Sequence, residues 1–399
     1  MNILKLNDDC LFHLCRYLDA EEIVAVSQTC TRLENVAKRL FRHKKSYMCY
    51  IGTPEDIVAA VRTLRKIGTN LRQIDLKVDL KYGASSLTKF FRLLTETVGP
   101  NLIEFSILGE ICWMPLTILT PVLRRLEVLT LQNSCWNANC AVMIDLPLLC
   151  LNLRELIVFG NIIFAPRSQK FFRRLEILDV TYSSIYIPNS VFTQNQQLAI
   201  LNLRRCMTTH SIDLRYFDTW LINLVKLNLD IGLIEDPIEN LPLLSNFQSL
   251  NSLELFSIPA AVFNDIIKIL ETLVRLHEIV LQCHLPRIDA QFLSVQESLA
   301  GMASKLTQLR SFITVSIDWT AESVSNFVHR ARNLTYLDFW SGGVDNYKLT
   351  PEFIRSLAKI RRSMVGIMHP LHLKLRIKDK DFKQVFNEPD VASMIILTK

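Results

Sequence analysis

Apolar residues along this chain keep two different rhythms. Near the start they recur at helical spacing, with Leu11, Leu14, Cys15 and Leu18 at i, i+3, i+4 and i+7. Asp19 with Glu22, and Thr31 with Glu34, have the spacing of capping boxes. Two further helices are therefore predicted, one carrying Ile23, Val26 and Cys30, the other Val36, Leu40 and Phe41. From about residue 70 the rhythm changes to alternation. Leucine, two residues, an apolar residue, one residue and another apolar residue recur as Leu71-Ile74-Leu76, Leu102-Phe105-Ile107, Leu126-Leu129-Leu131 and Leu153-Leu156-Val158. The frame continues through Leu224-Leu227-Leu229 and Leu250-Leu253-Leu255 to Leu334-Leu337-Phe339, and a closing copy, Leu373-Leu375-Ile377, has Pro370 in the leading slot.

Alternation means strand: the fourth and sixth positions point one way, the third, fifth and seventh the other. Leading positions lie 22 to 33 residues apart, and most intervals fall within the 20–29 period of leucine-rich repeats. One copy cannot bury its own leucines, whereas stacked copies can. Between strands the chain returns, as helix where the segment is long. Thr53-Pro54-Glu55 and Thr350-Pro351-Glu352 each supply an N-cap, a first-turn proline and a first-turn acid. Residues 263–273, 290–306 and 320–331 read as helices too, while 160–174 and 183–197 are short and irregular. Ninth positions, which favour Asn or Cys in the turn, hold Asn161 and Cys206. The expectation is an α/β fold: a leucine-rich repeat solenoid over residues 70–380, a curved parallel sheet with outer helices and loops. A small helical domain (1–45), a linking helix or cap (46–69) and a tail (381–399) complete it.

The opening run from Leu6 and Asn7 through Leu11, Phe12, Leu14, Tyr17 and Leu18 to Asp19 resembles the start of an F-box. Glu22 to Leu33, with Ser27, Cys30 and Arg32, is similar to that motif's second half. Asn7 stands where the motif usually has proline, and Leu33 where tryptophan is common. The resemblance implies binding to the Skp adaptor of a cullin–RING ubiquitin ligase, with Leu6, Leu11, Phe12, Leu14, Tyr17, Leu18, Ile23 and Val26 at or beneath that contact. From the residues alone, a helical cap on the first repeat is the other reading. The spacing irregularity also resembles that of F-box proteins with repeats.

In a leucine-rich repeat the outward strand positions meet the ligand. Those positions should be mostly polar, yet aromatic residues stand among them: Phe159, Phe256, Tyr336 and Trp340, with Tyr182 beside the face and Arg204 on it. Exposed aromatics and arginine are typical of protein-interface hot spots. Contact with a substrate protein, cover by residues 382–399 and partial exposure all remain open for them.

Composition narrows the classes. Apolar residues make up 49% of 399, but no run approaches the roughly 18–20 apolar residues of a spanning helix. Asp8 and Asp9 sit where a signal peptide would be apolar, so the cytosol or nucleus is expected. The ten cysteines include no CxxC pair, and reduced, buried thiols are expected with no metal and no cofactor. The net charge of +6 is concentrated between Lys359 and Lys383, where eight basic residues face Asp379 and Asp381. That segment opens an RNA-associated reading, disfavoured because aromatics do not interleave the charges regularly. No HExxH, GxSxG or phosphate-binding loop occurs, so no catalytic residues are expected. The function expected is substrate recognition within a ubiquitin ligase; the alternative is a non-ligase repeat scaffold or inhibitor with a helical cap.

Overall fold

The computed structural model describes residues 3–79, 84–98, 100–109, 116–133, 140–142, 146–160, 162–164, 172–185, 194–208, 211–215, 217, 221–284, 291–317, 319–340, 350–364, 369–374 and 384–398. Internal contacts divide the chain into two compact units, Met1–Asn195 with Arg205–Thr209, and Gln196–Arg204 with His210–Lys399.

The first unit opens with three helices, α1 (Asp8–Cys15), α2 (Ala20–Ser27) and α3 (Thr31–His43). Asn7 caps α1 by accepting the Cys10 amide at 2.8 Å. Asp19 and Glu22 form the expected capping box on α2. The box expected for α3 does not form: Thr31 already lies in the helix, and its N-cap Cys30 makes no side-chain cap bond. Amphipathic spacing puts Leu33, Val36, Ala37, Leu40 and Phe41 on the buried side of α3, against Leu11, Cys15, Ile23 and Val24.

Strand β1 (Ser46–Ile51) follows, then α4 (Pro54–Ile67), capped by Thr53 with Pro54 in its first turn. Next come β2 (Gln73–Val78), α5 (Ala84–Thr97), β3 (Glu104–Gly109), β4 (Val128–Asn133) and β5 (Cys140–Val142). The unit continues with β6 (Glu155–Phe159), β7 (Ile162–Phe164), β8 (Ile177–Thr181) and β9 (Ser184–Ile185). β1, β2, β3, β4, β6 and β8 pair in that order, all parallel, with the frame residues in register: Ile74 opposite Phe105, Phe105 opposite Leu129, Leu129 opposite Leu156. Each strand buries every second residue. A second small sheet, unforeseen in the sequence, joins β5, β7 and β9 to β11 (Met207–Thr208).

The second unit contains β10 (Ile200–Arg204), β12 (Lys226–Asp230), β13 (Ser252–Pro259), β14 (Glu278–His284), β15 (Ser311–Val315), β16 (Tyr336–Trp340), β17 (Leu371–Lys374) and β18 (Ile395–Thr398). These too pair in sequence order and in parallel. Helices Phe263–Leu270, Gln291–Lys305, Ala321–Arg330 and Pro351–Ser363 supply the return segments. Inward leucines such as Leu227, Leu253 and Leu281 are fully buried, each contributing roughly 1.5–3 kcal/mol.

Two outer boundaries differ from expectation. The parallel ladder begins at Ser46, not near 70, because β1 pairs with β2 although its inward residues are Tyr47, Cys49 and Ile51. It also continues past 380: within the expected tail, Ile395–Thr398 pairs with β17 as a further strand.

Asparagines lock successive copies. Asn101 and Asn152 each donate to the carbonyl of a residue in the preceding copy, Thr69 and Arg124. In the second unit Asn223 and Asn333 do the same to Gln196 and Thr307. Each of these asparagines immediately precedes a leading leucine, a sequence signal that went unread. At the ninth positions, the Cys206 thiol donates to the Val180 carbonyl at 2.8 Å, as expected of a turn residue, while Asn161 lies outside the described residues.

Candidate protein-interaction surfaces

The helical head sorts its eight candidate residues by exposure. Leu11 and Ile23 are completely buried and form its core. Leu14 and Tyr17, one turn apart on the opposite side of the α1 segment, are 48% and 79% exposed. Leu6, Phe12, Leu18 and Val26 are half-buried. Phe12 is engaged within the head, edge-on to His43 and 5.0 Å beneath the Arg39 guanidinium. Arg32 clamps the segment before α1 by donating to the Leu4 and Leu6 carbonyls and pairing with Asp8 at 2.7 Å. That clamp leaves Ile3 and Leu4 exposed as well, two residues that sequence reasoning did not single out.

The head is fastened to the first copies of the repeat. Tyr47 on β1 is buried and donates its hydroxyl to Glu21 of α2 at 2.8 Å; within the head, Lys44 donates to the Leu18 carbonyl at 3.2 Å. Burial raises the Tyr47 phenol far above its ordinary range, and the neighbouring Cys49 and Glu21 add to the shift. Helices α2 and α3 also pack on α4.

Outward residues of β3, β4 and β6 are half-exposed rather than buried, giving a continuous strand face. Phe159 lies on it, edge-on to Tyr182 at 5.7 Å, and the Arg205 guanidinium stands 5.1 Å from the Tyr182 ring. Tyr182 has a left-handed backbone (φ 55°), which turns the chain off the strand at that point.

In the second unit the expectation for Phe256 requires correction. It is only 3% exposed, and the Arg204 guanidinium lies 4.6 Å from its ring centroid. The cause is a register shift against β14 between Leu255 and Ile258, with Ser257 left-handed at φ 54°. Arg204 thereby serves as a lid on Phe256 as well as an outward cation. Tyr336 is half-buried; burial raises its phenol, with Asp338 adding to the shift. The Trp340 side chain lies outside the described residues. On this face Lys226 pairs with Glu254 at 3.3 Å and Lys374 with Asp338 at 3.6 Å.

The basic run after Lys359 is partly internal. Arg361 is 1% exposed and donates to the Arg332 and His369 carbonyls, and burial lowers its pKa. Arg362 pairs with Asp390 at 2.9 Å. Residues 375–383 lie outside the described residues. Among the described residues no group of three or more metal-ligating side chains occurs, and no helix is long and apolar enough to cross a membrane.

A three-helix head with Leu14 and Tyr17 left outside its own core is joined to stacked parallel strands. Residues 3–45 match the family described as the F-box domain, and the chain carries an F-box domain there. No curated protein matches the chain. Among solved structures, the chain is similar to one in a Rad7–Elc1 complex in yeast, at 14% identity, covering 78% of this chain and 84% of that one with a TM-score of 0.39. It is also similar to TLR13 in complex with ssRNA13, at 16% identity, covering 91% of this chain and 55% of that one with a TM-score of 0.42.

Proposed function

We propose that this chain is a substrate-recognition subunit of a cullin–RING ubiquitin ligase. Its F-box domain would bind the Skp adaptor, and the outward strand faces would hold a target protein. The chain itself carries no chemistry in this reading; it brings a target lysine to partners that do, which is catalysis by proximity. The observation that carries the reading is the F-box domain at residues 3–45 with Leu14 and Tyr17 outside its core. Leu14 and Tyr17, one turn apart, give the head an apolar contact surface that its own core does not use. Activity in the cytosol or nucleus, where such ligases work, belongs to the same proposal.

Co-purification with a Skp adaptor tests it. The full chain should capture the adaptor, and Leu14→Glu with Tyr17→Ala should abolish capture while the melting temperature stays unchanged, because both side chains are exposed. A folded wild-type chain that captures no Skp adaptor overturns the reading.

A further inference from the structure

The two units differ in how they treat charge on their outward strand faces. In the second, Lys226 pairs with Glu254 and Lys374 with Asp338, Arg204 lies over the Phe256 ring, and Glu278 and Asp230 accept the Ser252 and Ser257 hydroxyls. In the first, four half-exposed carboxylates, Asp75, Glu104, Glu155 and Asp179, enter no ion pair among the described residues. Asp75 and Asp179 accept only neutral donors, from Gln73 and Thr181. Lys77 is the sole cation among the described outward residues of these strands, and it stands over the Tyr50 ring, 5.8 Å away. An acidic face on a chain of net charge +6 runs against the composition.

Register fixes how the acids are spread. Asp75 is on β2, Glu104 on β3, Glu155 on β6 and Asp179 on β8, strands that are joined successively through β4. At roughly 4.8 Å per strand the acids span about 19 Å, the length of about six residues of extended chain. Apolar side chains frame them: Met48 and Tyr50 are 77% and 49% exposed at the β1 edge, and Phe159 stands on the β6 side. Unpaired carboxylates beside aromatic rings suit a ligand carrying both cations and aliphatic stems.

We propose that this face of the first unit takes a short lysine- and arginine-rich segment of a partner protein, extended across the strands. The inference rests on the substrate-receptor reading for its biological sense, and it narrows the target to a protein presenting a basic segment. Asp75, Glu104, Glu155 and Asp179 receive the cations, while Tyr50 and Phe159 receive the apolar stems. The second unit's face, which mixes Lys226, Lys374 and Arg204 among its acids, is the weaker site for such a segment.

The test uses the full chain and a fluorescein-labelled oligolysine of about eight residues, long enough to cross the face. Anisotropy should show binding that weakens as ionic strength rises from about 0.05 to about 0.5 M. Neutralising Asp75, Glu104, Glu155 and Asp179 together to Asn or Gln should weaken binding by about tenfold or more, whereas Glu254→Gln in the second unit leaves it unchanged. Circular dichroism and thermal melting confirm that the variants are folded. Oligoglutamate binding as tightly as oligolysine, unchanged affinity in the fourfold variant, or equal loss in Glu254→Gln would each overturn the inference. Adaptor capture is read separately: loss of peptide binding with capture intact sinks this inference alone, and loss of capture with peptide binding intact sinks only the ligase reading.

Discussion

The Tyr47 hydroxyl donates to the Glu21 carboxylate across 2.8 Å, joining the first strand of the repeat stack to the second helix of the F-box. The tyrosine is 3% exposed, so the bond is made where water competes poorly. Removing the hydroxyl leaves the ring in place and the carboxylate without that donor. Tyr47→Phe is expected to cost about 1 kcal/mol in chemical denaturation, and Tyr47→Ala roughly 3–5 kcal/mol by emptying the site. Hydrogen exchange in α2 should speed up in both variants. No change in either measurement would mean that the head is held by α4 alone.

Asn7 occupies the position where F-box sequences usually have proline, and here it caps α1 through the Cys10 amide. Its loss is therefore a matter of stability before it is one of adaptor contact. Asn7→Ala is predicted to lower stability by about 1 kcal/mol. Asn7→Asp should be nearly silent, because aspartate caps as well. The comparison is made by thermal melting of the two variants; equal losses would argue against the cap.

Cys49 and Cys150 are both buried, and burial pushes each thiol up to about 12. The folded state therefore prefers the protonated thiol more strongly than the unfolded chain does. This contribution is complete below the ordinary thiol pKa and is lost as pH rises from about 9 towards 12. Stability measured in denaturant should consequently fall across that window, and replacing both cysteines with alanine should flatten the fall. At neutral pH, iodoacetamide should label the exposed Cys10 while sparing Cys49, Cys150 and the buried Cys283, as read by peptide mass spectrometry.

Phe256 is 3% exposed beneath Arg204, so its truncation tests packing rather than partner contact. Phe256→Ala should destabilise the second unit by roughly 3–5 kcal/mol. Arg204→Lys, which loses the planar guanidinium over the ring, should cost about 0.5–1 kcal/mol. Unfolding midpoints in urea measure both. A Phe256→Ala variant of wild-type stability would show that the ring is free to face a ligand after all.

Much of this architecture is legible in local spacing. The leucine frame located β2, β3, β4, β6, β8, β10 and β12 to β17, and the Thr-Pro-Glu runs located the starts of α4 and of the helix Pro351–Ser363. β1 escaped because it buries a tyrosine, a cysteine and an isoleucine without a leading leucine, and β18 because it lies in a stretch read as tail. The small sheet of β5, β7, β9 and β11 consists of strands two or three residues long, too short to carry a period. For the interaction surfaces, the pattern identified which positions face outward but not which of them stay free. Phe12 and Phe256 are covered by arginines distant in sequence, and Leu14 and Tyr17 are not covered.

The amino-acid order was enough to establish a helical head with the F-box pattern and a chain of strands whose alternate residues must be buried, because both follow from periodicities of about 3.6 and two residues along the backbone. Folding decided where the ladder starts and stops, which aromatic rings reach solvent, and which carboxylates lack a counter-charge. Those outcomes depend on pairing between residues more than twenty positions apart, where register and a single inserted residue set which neighbour each side chain meets.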